Sequence, residues 1–377
     1  MGFVDADAHG LETENRTWQY FDPAERHYAP PAEGPWRFEQ HVRDPELPAE
    51  DRELSQRTMQ FERELEFNRK FYPTGTRNLS NIPARLQHMN EMSVDAQVCF
   101  SNFWLTDPVG DPTREAALIR SWNRWAAEGT RPSGGRIRWL AHVPWRIEHR
   151  AYEEMEFAAK NGAAGIEITG YKYDIASGNP FWWPMYERAQ DLNLPIAFHI
   201  GGARKDFAPF PEDAFYRTLS RVMAAFNSLL VFDVPKKFPK LRFAFVEAGS
   251  SWVNWAVQSR WRSEGGRGAV RTTDDWRKRG RDYLEETNNM YVSCFMDDDI
   301  NGVAEIIGED RLMLGTDYTH LDFGSDPDAL RIMSRREDIS IERRRKLLDV
   351  NPRKCYGIPM DFRPTDSLHG GVVARAK

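Results

Sequence analysis

Four separate apolar runs in this chain each end on a side chain that can ligate a metal or carry a proton. Phe3-Val4-Asp5-Ala6 leads into Asp7-Ala8-His9, and Pro195-Ile196-Ala197-Phe198 ends on His199. Phe243-Ala244-Phe245-Val246 ends on Glu247, and Leu312-Met313-Leu314-Gly315-Thr316 on Asp317. Asp7 and His9 are two residues apart, so on a strand both side chains share one face while Ala8 takes the other. A carboxylate and an imidazole on one face can fill two positions around a single divalent cation. Taken alone, Asp-x-His is common, and a lone His at a strand end is as easily a core residue bonded to a carbonyl. Glu247 raises the stakes: a buried carboxylate costs several kcal/mol without a cation, a hydrogen bond or a shifted pKa. Asp317 alone reads equally well as a helix cap, but a cap leaves His320 and Asp322 beside it unexplained.

These residues can meet only if the strand ends converge. Apolar runs over about 3–8, 95–101, 137–143, 164–168, 195–200, 242–247, 289–294 and 311–316 read as eight strands. Several are apolar almost without interruption, as expected of strands covered on both faces. Between them, Arg114 to Glu128, Ala151 to Lys160 and Phe181 to Leu192 carry apolar residues at helical spacing. Strand–helix alternation repeated eight times predicts a (β/α)8 TIM barrel, in which catalytic groups gather at the carboxyl ends of the strands. No GxGxxG follows a strand, so a dinucleotide-binding sheet has little support.

The expected organisation is one metal-dependent barrel domain over residues 1–363, with 364–377 as a disordered tail. Residues 12–90 read as a helical insertion after the first strand, folded over the mouth, with Glu50 to Phe71 as its best helix. Residues 203–216, with Pro209 and Pro211, are expected to form a wall of the mouth; the Arg- and Gly-rich 259–281 reads as a solvated loop. A net charge of −6 and a pI near 5.9 give no basic excess for nucleic acid. No run reaches the roughly 20 apolar residues of a membrane span, and no signal peptide opens the chain. Cys99, Cys294 and Cys355 have no CxxC spacing, which suits a reducing cytoplasm.

The segments VDADAHGLE (4–12), LPIAFHIGG (194–202), FPKLRFAFVEAGSSWVNW (238–255), LMLGTDYTHLD (312–322) and NPRKCYGI (351–358) together resemble the amidohydrolase superfamily. The similarity is to the branch of aminocarboxymuconate-semialdehyde decarboxylase and related aromatic-acid decarboxylases. It implies one divalent metal, Zn2+ ahead of Mn2+, held by Asp7, His9, His199 and Asp317. Glu12 fits the branch motif as support for the site. The chain departs from the pattern in two places. Asp7 stands where many members have the first histidine, and Glu247 where some have one on the sixth strand. No lysine ends the fourth strand, which argues against a carboxylated-lysine binuclear centre.

The metal can orient a carboxylate for protonation at carbon and loss of CO2, or activate water towards an amide, ester, lactone or C–C bond. The first makes the protein a non-oxidative decarboxylase of a small aromatic or unsaturated carboxylic acid, the second a hydrolase. A catalytically inactive barrel used for binding is the third reading. Asp317 is the first candidate for proton transfer, with His199, His320 and Glu247 as the other candidate catalytic residues. Arg85 and Arg204 are the candidates to pair with a substrate carboxylate, and Trp104 and Trp252 to line an aromatic pocket, with Phe103, Trp145, Tyr171 and Trp255 near them. The resemblance also implies a homodimer.

Overall fold

The computed structural model describes residues 2–10, 17–28, 71–102, 110–201, 219–264, 278, 282–285, 288–320 and 325–364. Eight strands form one parallel sheet in chain order. They are β1 (Val4–His9), β2 (Ala96–Phe100), β3 (Ile137–Ala141), β4 (Gly165–Thr169), β5 (Ile196–His199), β6 (Phe243–Phe245), β7 (Met290–Cys294) and β8 (Leu312–Leu314). Each strand is followed by a helix: α1 (Ile82–Glu91), α2 (Pro112–Thr130), α3 (Glu148–Lys160), α4 (Trp183–Asp191), α5 (Ser220–Val231), α6 (Trp252–Glu264), α7 (Ile300–Ile307) and α8 (Ala329–Ser334). The Asp317 N–H donates to the Asp7 carbonyl at 2.8 Å and the His9 N–H to the Tyr318 carbonyl at 2.9 Å, bringing β8 back against β1. The expected (β/α)8 barrel is the observed one. Among the described residues, no helix is long and apolar enough to cross a membrane.

Two apolar layers follow from strand alternation. Val4, Ala6, Ala96, Val98, Leu140, Ala197, Ala244 and Met313 pack together inside the barrel. Ile166, Ile168, Phe198, Phe243, Phe245, Leu312 and Leu314 face outward into the layer shared with the helices. Small residues inside and large ones outside let the strands close tightly while the helices bury a broad apolar surface.

The first strand departs from simple alternation. Val4 and Asp5 pair with Ala96 and Gln97, but Ala8 and His9 pair with Cys99 and Phe100, so β1 carries one extra residue between them. Such a bulge switches which residues face inward. Asp5 therefore turns to the outer side, away from Asp7 and His9. There it accepts from the Thr316 N–H at 2.8 Å, the Thr316 hydroxyl at 2.7 Å and the Gln97 amide at 3.0 Å. Burial outweighs these bonds and pushes the Asp5 carboxyl up to about 7.

Residues 12–90 contain helix α1, which comes just before β2. Two short 3-10 turns, Thr17–Tyr20 and Pro23–Tyr28, lie against α2. The predicted helix from Glu50 lies outside the described residues, as do 203–216, most of 259–281 and the tail from 365.

Gly315 permits the β1–β8 approach. A Cβ at this position would lie 2.1 Å from the Asp7 Cβ and 2.8 Å from its backbone nitrogen. Gly315→Ala is therefore expected to force the seam open and cost about 2–4 kcal/mol of unfolding free energy. Denaturant unfolding measures it, and wild-type stability in the variant would contradict this account of the closure.

Candidate metal centre

The carboxyl ends of β1, β5, β6 and β8 gather six titratable side chains at the barrel mouth, in two sets that share His9. Asp7 and His9 come from β1, His199 from the last residue of β5, and Glu247 from just beyond β6. Asp317 and His320 follow β8. All six are buried, His9 and His199 completely. His9 Nε2 lies 3.1 Å from Asp317 Oδ1 and 3.6 Å from Asp7 Oδ1. His199 Nε2 is 3.5 Å from Asp7 Oδ1 and 2.8 Å from Glu247 Oε2, and His320 Nδ1 is 2.7 Å from Asp317 Oδ1. All four expected metal ligands and the other two candidate catalytic residues are thus brought together.

The histidine tautomers follow from their second nitrogens. His9 Nδ1 sits 3.0 Å from the Ser101 carbonyl and His199 Nδ1 2.8 Å from the Ile200 carbonyl. A carbonyl only accepts, so each Nδ1 carries the hydrogen and each Nε2 turns its lone pair inward. Lone pairs then face carboxylate oxygens, acceptor against acceptor. Among the described residues, Asp7 Oδ1, His9 Nε2, His199 Nε2, Glu247 Oε2 and Asp317 Oδ1 make no hydrogen bond. Such groups are costly unless something positive stands between them. Ligands about 2.1 Å from one ion lie roughly 3–4 Å from each other, so the spacings fit a divalent cation. Two sets have ligand atoms within 4.8 Å of one another, Asp7–His9–His199 and His9–Glu247–Asp317–His320.

Without an ion, the carboxylates and imidazoles shift one another's protonation instead. For His199, burial opposes a charge, but Glu247 and Asp7 outweigh it and push the imidazole well above its usual value. Burial and the neighbouring Asp317 push the Glu247 carboxyl up to about 8. For Asp317, burial is outweighed by His320 and His9, which hold it far below the carboxylate range. His9 is lowered by burial and by His320. The backbone adds strain, since Glu247 (φ 60°) and Asp317 (φ 50°) both adopt the left-handed conformation. Non-glycine residues there cost about 1–3 kcal/mol each and cluster at functional sites.

Arg85, the candidate to pair with a substrate carboxylate, is fully buried. It donates to the carbonyls of His9 at 2.8 Å and Thr76 at 3.1 Å, and to Gln97 Oε1 at 2.9 Å, with Tyr318 stacked 4.6 Å away. Trp252 is half-buried in the first turn of α6, donating to the Gly249 carbonyl at 2.7 Å with its ring edge-on to Phe226. Trp145 is buried against Trp182, and Trp255 is exposed. Arg204, Trp104, Phe103, Glu12 and Asp322 lie outside the described residues.

Sequence reasoning missed two features of β4. Glu167 is buried and accepts two hydrogen bonds from Ser101. Burial opposes its ionisation, yet His142 and then His199 outweigh this and hold it below the usual range. Thr169 pairs in register with His199, and its buried hydroxyl has no hydrogen-bond partner among the described residues. An acidic residue inside the apolar β4 segment was the available signal; nothing in the sequence marks Thr169.

Comparison with known proteins places this geometry in context. A family model described as Amidohydrolase matches residues 106–358, more than half of the chain. A curated relative, the 2-keto-4-carboxy-3-hexenedioate hydratase of a Sphingobium species, is 26% identical over 185 residues, covering 47% of this chain and 50% of the relative. The chain thus matches about half the length of that relative. An amidohydrolase from Mycobacterium avium subsp. paratuberculosis has a similar structure, with a TM-score of 0.69 and 16% identity over 94% of this chain and 99% of that one. The 5-carboxyvanillate decarboxylase of Novosphingobium aromaticivorans, crystallised with manganese and a nitrobenzoic acid, gives 0.63 and 15% over 95% and 96%. The 2,6-dihydroxybenzoate decarboxylase of Rhizobium gives 0.60 and 16% over 95% and 99%.

Purified protein is expected to carry about one divalent ion per chain, as the shared ligand set requires. His199→Ala should keep the far-UV circular dichroism of the wild type while losing most of that metal. Full occupancy in the variant would remove His199 from the ligands.

Proposed function

This chain belongs to the amidohydrolase family, a family of metal-dependent enzymes, and on that premise we propose that it is a non-oxidative carboxy-lyase acting on a small aromatic or unsaturated carboxylic acid. One observation carries the reading. Five buried ligand atoms, from Asp7, His9, His199, Glu247 and Asp317, make no hydrogen bond among the described residues, and they fall into two close sets joined at His9. The two decarboxylases that share the fold across 95% of this chain support this choice of reaction.

Asp7, His9, His199 and Asp317 would hold the ion, which when bound supplies Lewis-acid polarisation of the substrate's oxygens. The remaining groups handle the proton. As the bond between the substrate carbon and its carboxyl carbon breaks, the electron pair stays on the substrate carbon, which must take up a proton. Asp317 and His320 are in contact at 2.7 Å, and His320 Nε2 is held 3.0 Å from Asn102 Oδ1. That bond orients the imidazole and leaves Nδ1 to exchange a proton with Asp317. Glu247 holds a second carboxyl on the opposite side, against His199. Phe100, packed 4.8 Å from the His199 ring and 6.0 Å from the His9 ring, closes the site from below and excludes water there. The Thr169 hydroxyl, next to His199, is the group left to meet a polar atom of the substrate.

A second reading is water chemistry, either addition to a double bond or hydrolysis. The hydratase relative favours addition. Incubation with a panel of hydroxy- and aminobenzoates is expected to release CO2, with bicarbonate exchange into phenols reporting the reverse reaction. If hydration or hydrolysis products alone appear across acid, enoate and amide panels, the carboxy-lyase reading falls.

Thr169→Val removes one hydroxyl without touching a ligand. It should raise KM about 3–10-fold, the value of one hydrogen bond, at unchanged metal content. Steady-state kinetics at full metal loading measure this, and an unaltered KM would show that Thr169 does not contact the substrate.

A further inference from the structure

We propose that Glu167 is a positioning residue for the metal centre, fixing the orientation and tautomer of His9 through Ser101. The proposal rests on the reading of His9 as a ligand. Glu167 lies on β4, a strand that supplies none of the candidate ligands and pairs with the His199 strand, and is 2% exposed. A carboxylate is costly in such a place and needs compensating bonds. Its two oxygens are both engaged by one residue. The Ser101 N–H donates to Oε2 at 2.8 Å and the Ser101 hydroxyl to Oε1 at 3.0 Å. The carbonyl of that same serine accepts from His9 Nδ1 at 3.0 Å.

Ser101 needs this anchoring because it lies just past the end of β2, where the ladder to neighbouring strands stops. Its hydroxyl oxygen also takes His142 Nε2 at 2.9 Å. His142 is in turn clasped through its backbone by Asn123 on α2, which accepts from its N–H at 3.0 Å and donates to its carbonyl at 2.9 Å. Ser101 is therefore held from the β4 side by Glu167 and from the α2 side through His142. It has one remaining polar group, the carbonyl that faces His9. Tilting that carbonyl would free the imidazole to rotate or to move its hydrogen to Nε2, and an Nε2–H cannot ligate a metal. Partners one step behind a metal ligand typically contribute 10–100-fold to affinity.

The test is Mn2+ titration of the full-length protein after chelator treatment, alongside thermal melting of the metal-free form. Glu167→Gln keeps the shape of the side chain but cannot accept both Ser101 donors. It should weaken Mn2+ binding about 10–100-fold while metal-free melting changes little. A dissociation constant equal to the wild type overturns the proposal. So does a loss of metal-free stability with unchanged affinity, which marks a purely structural carboxylate. Should Glu167→Gln not fold, Ser101→Ala decides, since it deletes one of the two anchoring bonds and leaves Glu167 in place. Weaker binding there supports the proposal and unchanged binding overturns it. Wild-type protein that binds neither Mn2+ nor Zn2+ would instead overturn the metal reading itself.

Discussion

The mouth of this barrel depends on how closely β1 and β8 approach where the sheet closes. Two backbone hydrogen bonds make the seam, from Asp317 N–H to Asp7 and from His9 N–H to Tyr318. Three of the four residues in those bonds also project the side chains that face the candidate cation position. Any widening of the seam would separate Asp317 from His9, which now stand 3.1 Å apart. Gly315 allows the approach, and Asp5 reinforces it from outside by accepting from the backbone N–H and the hydroxyl of Thr316. Arg85 holds the same region from below, through the His9 carbonyl. Closing the fold and assembling the ligands are thus one event.

The bulge in β1 makes this arrangement possible. Strict alternation would put Asp5, Asp7 and His9 on a single face, three polar groups in a row inside a narrow barrel. With one extra residue, Ala6 stays in the interior layer, Asp5 leaves for the outer network, and Asp7 and His9 point inward at the rim. A register change of one residue moves a side chain to the opposite face. The two acidic residues of β1 consequently have different roles, one in the seam and one at the metal.

Much of this was legible in the sequence, for a definable reason. Buried parallel strands must be apolar on both faces, so a polar residue ending such a run stands out; Asp7, His9, His199, Glu247 and Asp317 were found that way. For Arg85, the sequence shows a cation near the mouth but not the backbone carbonyls that absorb it. The bulge was invisible, since VDADAH alternates cleanly whether or not a residue is added to the register. Glu167 and Ser101 escaped notice because their importance comes from touching each other across strands, which no spacing encodes.

The surroundings of the centre divide the work between its two sides. On the β1–β8 side, Asp317 is coupled to His320, whose other nitrogen is held by Asn102, so a proton there has a ring through which to move. On the β5–β6 side, Glu247 has no such ring beyond it. Its backbone N–H is held by the Ser293 hydroxyl at 3.0 Å, and its inward oxygen lies 2.8 Å from His199, which already donates its Nδ1 hydrogen to a carbonyl. The histidine at this point in some relatives would bring a second nitrogen with it. On the proposed carboxy-lyase reading, the Asp317–His320 pair would move the proton and Glu247 would serve binding and charge balance.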